Sequence, residues 1–206
     1  MNYDILPEGF SLFRAVDLNT KKMKLWLNLA QLPVLAALMI PAGLAVPLRT
    51  QIPFILDGIA AYAPGRWLGQ SMAWLLLLMV GMIGVLLLHE LIHGLCFRHV
   101  AGGRPKYGHK LPFYLYCACE GRFICKKSYF IVSLAPLAVI TALCAALCAL
   151  VPPDWFWVPY FAFVMNACGC AGDVYISLLL LRMPKGILVV DSGVAMQIYA
   201  KQEIAP

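Results

Sequence analysis

Four side chains carry the chemistry of this chain: His89, Glu90, His93 and Asp173. They are the only charged or imidazole groups inside four long apolar stretches. An ionisable group placed in hydrocarbon is costly, so each one marks a functional-site hypothesis. Three of the four form His89-Glu90-Leu91-Ile92-His93, an H-E-x-x-H pattern. Residues four apart share a helix face, which sets the two imidazoles side by side. In that position they can share one tetrahedral zinc ion. Glu90 projects beside them, placed to act on a water as a general base rather than to bind the metal.

A catalytic zinc takes three protein ligands and keeps a fourth position open. Asp173 is the best third ligand. His89 lies nine positions before Arg98, and Asp173 lies nine before Arg182. At about 1.5 Å per residue both sit roughly 13 Å from a flanking charge. Two parallel spans therefore bring them to one level. Glu120 is the chief rival, with His99, His109 and Asp191 weaker ones. Asn166, Cys170, Asp173 and Ser177 form one helical stripe, and Gly169 and Gly172 allow close helix approach. Cys170 and Ser177 read as a structural seam. Asn166 is a candidate contact for the substrate or transition state, with a place in that seam as the other reading.

The elements that must hold these groups are membrane spans. The chain has 206 residues, is 62% apolar and 13% charged, and has a mean hydropathy of +0.80. These values fit a polytopic membrane protein and exclude an ordinary soluble domain. Four stretches, about 25–46, 74–97, 129–151 and 155–181, are each long enough to cross a hydrocarbon core of about 30 Å as a helix. The expected fold is thus all-α and polytopic, a single membrane-embedded domain over 1–206. The first 24 residues lack the pattern of a signal peptide and read as part of the mature protein.

Lys and Arg placement sets the orientation. With both termini cytoplasmic, fourteen basic residues face inward and two, Arg49 and Arg66, face outward. The same bias accounts for the net charge of +6, so nucleic acid is not an expected partner. The expected location is the cell membrane, multi-pass, with the lipid bilayer as its surroundings. Pro33 and Pro41 would kink the first span, and Asn28 and Gln31 offer hydrogen bonds to neighbouring helices. Phe54–Ala63 is too short to span and reads as interfacial or re-entrant. Trp67, Trp74, Trp155 and Trp157 fall where an outer aromatic belt would lie.

Between Lys106 and Lys127 the loop is apolar and β-prone. Glu120-Gly121 separates the runs Phe113–Cys119 and Arg122–Cys125, which predicts a short hairpin packed on the bundle or dipping into the membrane. After the last span, Ile187–Val190 predicts a strand and Asp191-Ser192-Gly193 a turn. The eight cysteines include two C-x-C pairs, Cys117/Cys119 and Cys168/Cys170, which read as reduced packing residues.

These motifs resemble the zincin peptidase family of small membrane proteins, relatives of the site-2 protease group of intramembrane metalloproteases. The likeness runs over nearly the whole chain. It rests on Leu6–Phe10, His89–Gly94, Ala135-Pro136-Leu137, Asn166, Gly172-Asp173, Pro184 and Val190–Gly193. The stretch Cys170–Val174 departs from the site-2 proteases proper, whose Leu-Asp-Gly core follows prolines. The resemblance implies that His89, His93 and Asp173 bind zinc and that Glu90 is the catalytic base. The expected function is a zinc-dependent intramembrane endopeptidase cutting a membrane-protein or peptide substrate near the cytoplasmic face. The other readings are a non-proteolytic membrane module with a structural zinc and a small metal transporter.

Overall fold

The computed structural model describes residues 1–46, 64–110, 114–193 and 195–201. Helices dominate, and a five-stranded antiparallel sheet closes one end of them. In chain order the elements are β1 (Phe10–Asp17), α1 (Lys21–Ala45), α2 (Pro64–Cys96), β2 (Lys106–Lys110), β3 (Tyr114–Cys125) and α3 (Lys126–Leu150), then α4 (Trp157–Gly169), α5 (Ala171–Leu181), β4 (Leu188–Asp191) and β5 (Ala195–Lys201). Phe97–Ala101 adds a π-helical turn after α2, and Pro153–Trp155 a 3-10 turn before α4.

The helices follow from composition. The Thr20 hydroxyl caps α1 by accepting the Met23 N–H at 3.2 Å. The helix then runs through Pro33 and Pro41. Leu25, Trp26, Leu29 and Leu32 on α1 and Leu75, Leu76, Val80 and Ile83 on α2 all lie exposed. α1, α2 with its π turn, and α3 are each long and apolar enough to cross a membrane. α4 and α5 together make a fourth such element, bent by 43°. The expected single span over 155–181 is therefore broken at Cys170, where Gly169 ends one helix and the next starts in a new direction. The segment Phe54–Ala63 lies outside the described residues. Trp74 and Trp157 are buried against each other with Phe156, Tyr160 and Phe161, so they pack the far end of the bundle rather than form an outward belt.

The all-α expectation is corrected by the sheet, ordered β1-β5-β4-β3-β2. Both termini enter it, because β1 pairs β5 from Phe10↔Lys201 to Asp17↔Ala195. The expected hairpin is also displaced. β2 pairs β3 from Lys106↔Ala118 to Lys110↔Tyr114, and Glu120-Gly121 lies within β3. There the β3–β4 register shifts between Cys119 and Ile124, and Gly121 takes a left-handed φ of 74°. A Gly that looked like a turn signal thus marks a bulge. The predicted strand after the last span is present as β4.

Apolar burial joins sheet to helices. Phe97, Ile124, Val132, Leu180, Ile187, Val189 and Ile198 form one core between them. Asn2 clamps the same junction. Its amide donates to the Val100 and Ala101 carbonyls, both at 3.1 Å, and accepts the Cys125 N–H at 2.9 Å. Arg122 reaches back from the β3 bulge to the Ala101 carbonyl and pairs with Asp4.

The β4–β5 turn is held by close approach. Gly193 has a φ of 85°, and a Cβ there would lie 2.2 Å from the Tyr116 ring. Gly9 has a similar φ of 78° with open space around it. Gly193→Ala should therefore lower unfolding free energy by about 3 kcal/mol, the backbone penalty plus overpacking. Gly9→Ala should cost only about 1–2 kcal/mol, the backbone term alone. Denaturant unfolding in detergent compares the two, and equal losses would refute the Tyr116 contact.

Candidate metal centre

The last turns of α2 and the first turn of α5 meet beside α3. α2 carries His89, Glu90 and His93, and α5 carries Asp173. His89 Nε2 lies 3.4 Å from one Asp173 carboxylate oxygen, and His93 Nε2 lies 3.5 Å from the other. The two Nε2 atoms are 3.2 Å apart. A tetrahedral site with bonds of about 2.0–2.1 Å has edges of about 3.3–3.4 Å. Each spacing is of that size, with the two histidines facing different oxygens of the Asp173 carboxylate.

The tautomers sharpen this fit. His89 Nδ1 lies 3.1 Å from Asn166 Oδ1, and His93 Nδ1 lies 3.0 Å from the Val132 carbonyl. The Asn166 side chain is oriented by its own Nδ2, which donates to the Pro136 carbonyl at 3.4 Å. Both imidazoles therefore face acceptors and must donate from Nδ1. Their Nε2 lone pairs then point at each other and at Asp173. A proton can bridge only one of these pairs, whereas a cation satisfies all three. Ligand imidazoles that donate their other nitrogen to a carbonyl or amide are the usual way to fix a metal site.

Pro136 makes the Val132 carbonyl available. In a regular helix that carbonyl accepts the N–H four residues on, at position 136. Proline has no N–H, so the acceptor is left open in the middle of α3, and His93 takes it. The Pro136 carbonyl in turn receives Asn166, which holds His89. One proline thus supplies, directly or through Asn166, the outer support of both histidines.

Glu90 stands next to His89, His93 and Asp173, half-buried, with the Cys117 backbone N–H against its carboxylate. Asp173 sits in the first turn of α5, where the helix dipole favours its negative charge. Cys170 Sγ lies 3.8 Å from His89 Nδ1. His89, Cys170 and Asp173 also cluster closely enough to be a metal set. We favour His93 over Cys170, because the His89 nitrogen facing Cys170 already serves Asn166. Glu120 is exposed and paired with Lys106 at 2.8 Å, and His99 and His109 are exposed. None of the three joins the cluster.

The centre opens into a cavity of about 440 Å³ between the helices and the sheet. Asp191 lines it too, accepting from the Tyr129 hydroxyl at 2.5 Å and the Gly193 N–H at 2.6 Å. Burial pushes the Asp191 carboxyl up and the Cys117 thiol up to about 12. Cys117 is therefore an uncharged wall and no nucleophile. Ser133 and Ser177 bond to each other at 2.8 Å and close the α3–α5 seam. Backbone partners such as the Val132 carbonyl and the Cys117 N–H leave no signature in side-chain pattern. The one signal for them is Pro136, visible as a proline inside an apolar span.

A family model described as "Putative zincin peptidase" matches residues 82–188, just over half of the chain and all the residues of the cluster. No curated protein matches, and no solved structure matches.

The fit predicts about one zinc per chain in purified protein. His93→Ala and Asp173→Ala should lose it. Asn166→Ala should weaken zinc affinity by about 10–100-fold while the fold persists. Pro136→Ala should weaken it about tenfold, because the restored N–H competes with His93 for the Val132 carbonyl, yet it should not lower thermal stability of the metal-free protein. Competition with a zinc-binding dye reads these affinities. Unchanged affinity in Pro136→Ala would refute the freed-carbonyl argument.

Proposed function

We propose, since this chain belongs to the zincin peptidase family, that it is a zinc-dependent intramembrane endopeptidase of the site-2 protease kind. The observation that carries this reading is the convergence of the His89 and His93 Nε2 atoms on the Asp173 carboxylate, beside the carboxylate of Glu90. His89, His93 and Asp173 would hold the zinc. When bound there, zinc supplies a Lewis acid that polarises the scissile carbonyl and makes water acidic enough to be used near neutral pH.

The chain's own groups do the rest. Glu90 takes the proton of the attacking water and delivers it to the departing amine nitrogen. The Cys117 N–H against its carboxylate fixes which way it faces. We assign Asn166 to holding His89 rather than to touching substrate, because both ends of its amide are already used.

A peptide must be extended before its bonds can be reached, and β3 offers a template. Over 114–118 it pairs β2 on one side, while β4 pairs it only from Cys119 onward among the described residues. The Cys117 N–H is turned away from β2, toward Glu90, so the backbone on that side of Leu115–Cys117 faces the cavity. An extended substrate can add there as a strand, with its scissile bond beside Glu90.

The membrane setting rests on exposed apolar surface. α1 has no buried residue and exposes a long run of apolar side chains, and α2 is nearly as bare. Such surface far exceeds what a soluble monomer exposes. The sheet end carries the excess of Lys and Arg, which favours the cytoplasm for that end. Water from that side would reach the cavity.

Glu90→Gln should keep about one zinc per chain and lower cleavage by about 10²–10⁴-fold. The test profiles new N-termini in membranes incubated with each protein. Sites inside transmembrane segments should appear with wild type and not with the variant. Equal profiles would remove Glu90 from the chemistry.

A further inference from the structure

α1 leans on α4 and α5 and is tied to α4 along its length. The Tyr160 hydroxyl donates to the Leu38 carbonyl at 2.7 Å, and the Cys168 thiol reaches the Gln31 carbonyl at 3.9 Å. A groove is left between α1 and α2, floored by α4. Its lower part is the metal-centre cavity, and its upper part is a second cavity of about 320 Å³. Asn28, Gln31 and Met165 line both, so the groove is continuous. Away from the sheet its walls turn apolar, with Leu35 of α1 and Leu78 and Met82 of α2.

Lys24, Asn28 and Gln31 stand at i, i+4 and i+7 on α1, one face of a helix that is otherwise apolar between Leu25 and Ala45. All three line the cavity of the metal centre. Among the described residues the Asn28 and Gln31 side chains have no hydrogen-bond partner. Asn28 is exposed and Gln31 half-buried, so both amides are open to whatever fills the groove. A water path would need polar walls only as far as the metal centre. Here the groove continues past it with apolar walls. That combination suits a transmembrane segment whose side chains are apolar and whose backbone, unwound near the site, has peptide groups to be paired.

We propose that Asn28 and Gln31 form a hydrogen-bonding ladder that receives the unwound backbone of a substrate's transmembrane segment. This deepens, and rests on, the proteolytic reading above. Each side-chain amide offers one acceptor and two donors, the complement of an exposed peptide group. The ladder offsets the cost of breaking substrate helix in an apolar setting. It also selects segments that unwind easily, such as those interrupted by Gly or Pro.

The probe is a synthetic Leu-rich transmembrane peptide with a Gly-Pro pair near one end, reconstituted with the protein in phosphatidylcholine–phosphatidylglycerol vesicles. In a Glu90→Gln background, a photo-cross-linking residue at Leu35 should capture the peptide, and one at Trp26, on the opposite face, should not. Asn28→Leu with Gln31→Leu should keep the wild-type zinc content and lower that capture about tenfold, the loss of one or two hydrogen bonds in apolar surroundings. With Glu90 intact, the same double variant should slow cleavage of the membrane peptide about tenfold. Cleavage of a short water-soluble peptide carrying the same Gly-Pro sequence should stay within about twofold, since it needs no ladder. Capture unaffected by the double variant would overturn the ladder, and so would equal slowing of both peptides, as a water path requires. Capture at Leu35 that depends on Asn28 and Gln31, without cleavage of either peptide by wild type, would uphold the ladder and remove the proteolytic reading.

Discussion

Everything at the site depends on keeping three electron-pair donors together without a proton among them. His89 Nε2, His93 Nε2 and the two Asp173 carboxylate oxygens converge, with contacts of 3.2–3.5 Å. Left alone they repel. The arrangement holds because each imidazole is anchored from behind, through Nδ1, to a carbonyl oxygen that can only accept. The His93 anchor is the Val132 carbonyl in the proline-interrupted turn of α3, and the His89 anchor is Asn166 on α4, itself held by the Pro136 carbonyl. An ordinary helix there would have consumed the Val132 carbonyl internally. The cost of a helix-breaking residue is offset by the acceptor it releases, and His93 on α2 is oriented by it.

One helix end adds to this. α2 brings His89 and His93 about two to three turns before its helical run ends at Ala101, beyond the reach of its terminal dipole. α5 brings Asp173 in its first turn, at the positive end. The negative charge of Asp173 is stabilised there. The break at Cys170 is what makes this possible. A straight span over 155–181 would put Asp173 mid-helix, away from any terminus. The bend ends α4 just beyond Asn166 and opens α5 just before Asp173, so one element supplies both a ligand and the support of another ligand.

The sheet explains why the chain is more than a helix bundle. β3 delivers a backbone N–H to Glu90, and β1 and β5 tie the two ends of the chain around the same core. Much of the centre was legible in the sequence, because metal ligation restricts residue types and spacing. The H-E-x-x-H pattern and the equal depth of Asp173 needed no tertiary information. The sheet was not legible in full. β1 is eight residues with little alternation, and only Val16 is buried, so its strand character comes from pairing with β5, some 190 residues later. The hairpin was displaced for a local reason. Glu120-Gly121 has the composition of a turn, and only the partner strand β4 shows that Gly121 kinks a continuous strand.

α1 illustrates a different limit. Its sequence suggests hydrogen bonds from Asn28 and Gln31 to neighbouring helices, yet the structure turns both side chains into the groove. In water such an arrangement would need no explanation. Beside apolar walls it separates the roles of the helices: α2, α3, α4 and α5 hold the centre, while α1 stands off with its polar face toward it. A helix with no buried residue contributes little packing energy, so its composition is free to serve what enters the groove. Cleavage of a membrane segment requires that backbone hydrogen bonds be exchanged before any bond is cut. The β3 edge and the α1 amides line the same cavity as the cluster. On the proposed reading they would together offer new partners to a substrate helix as it comes undone.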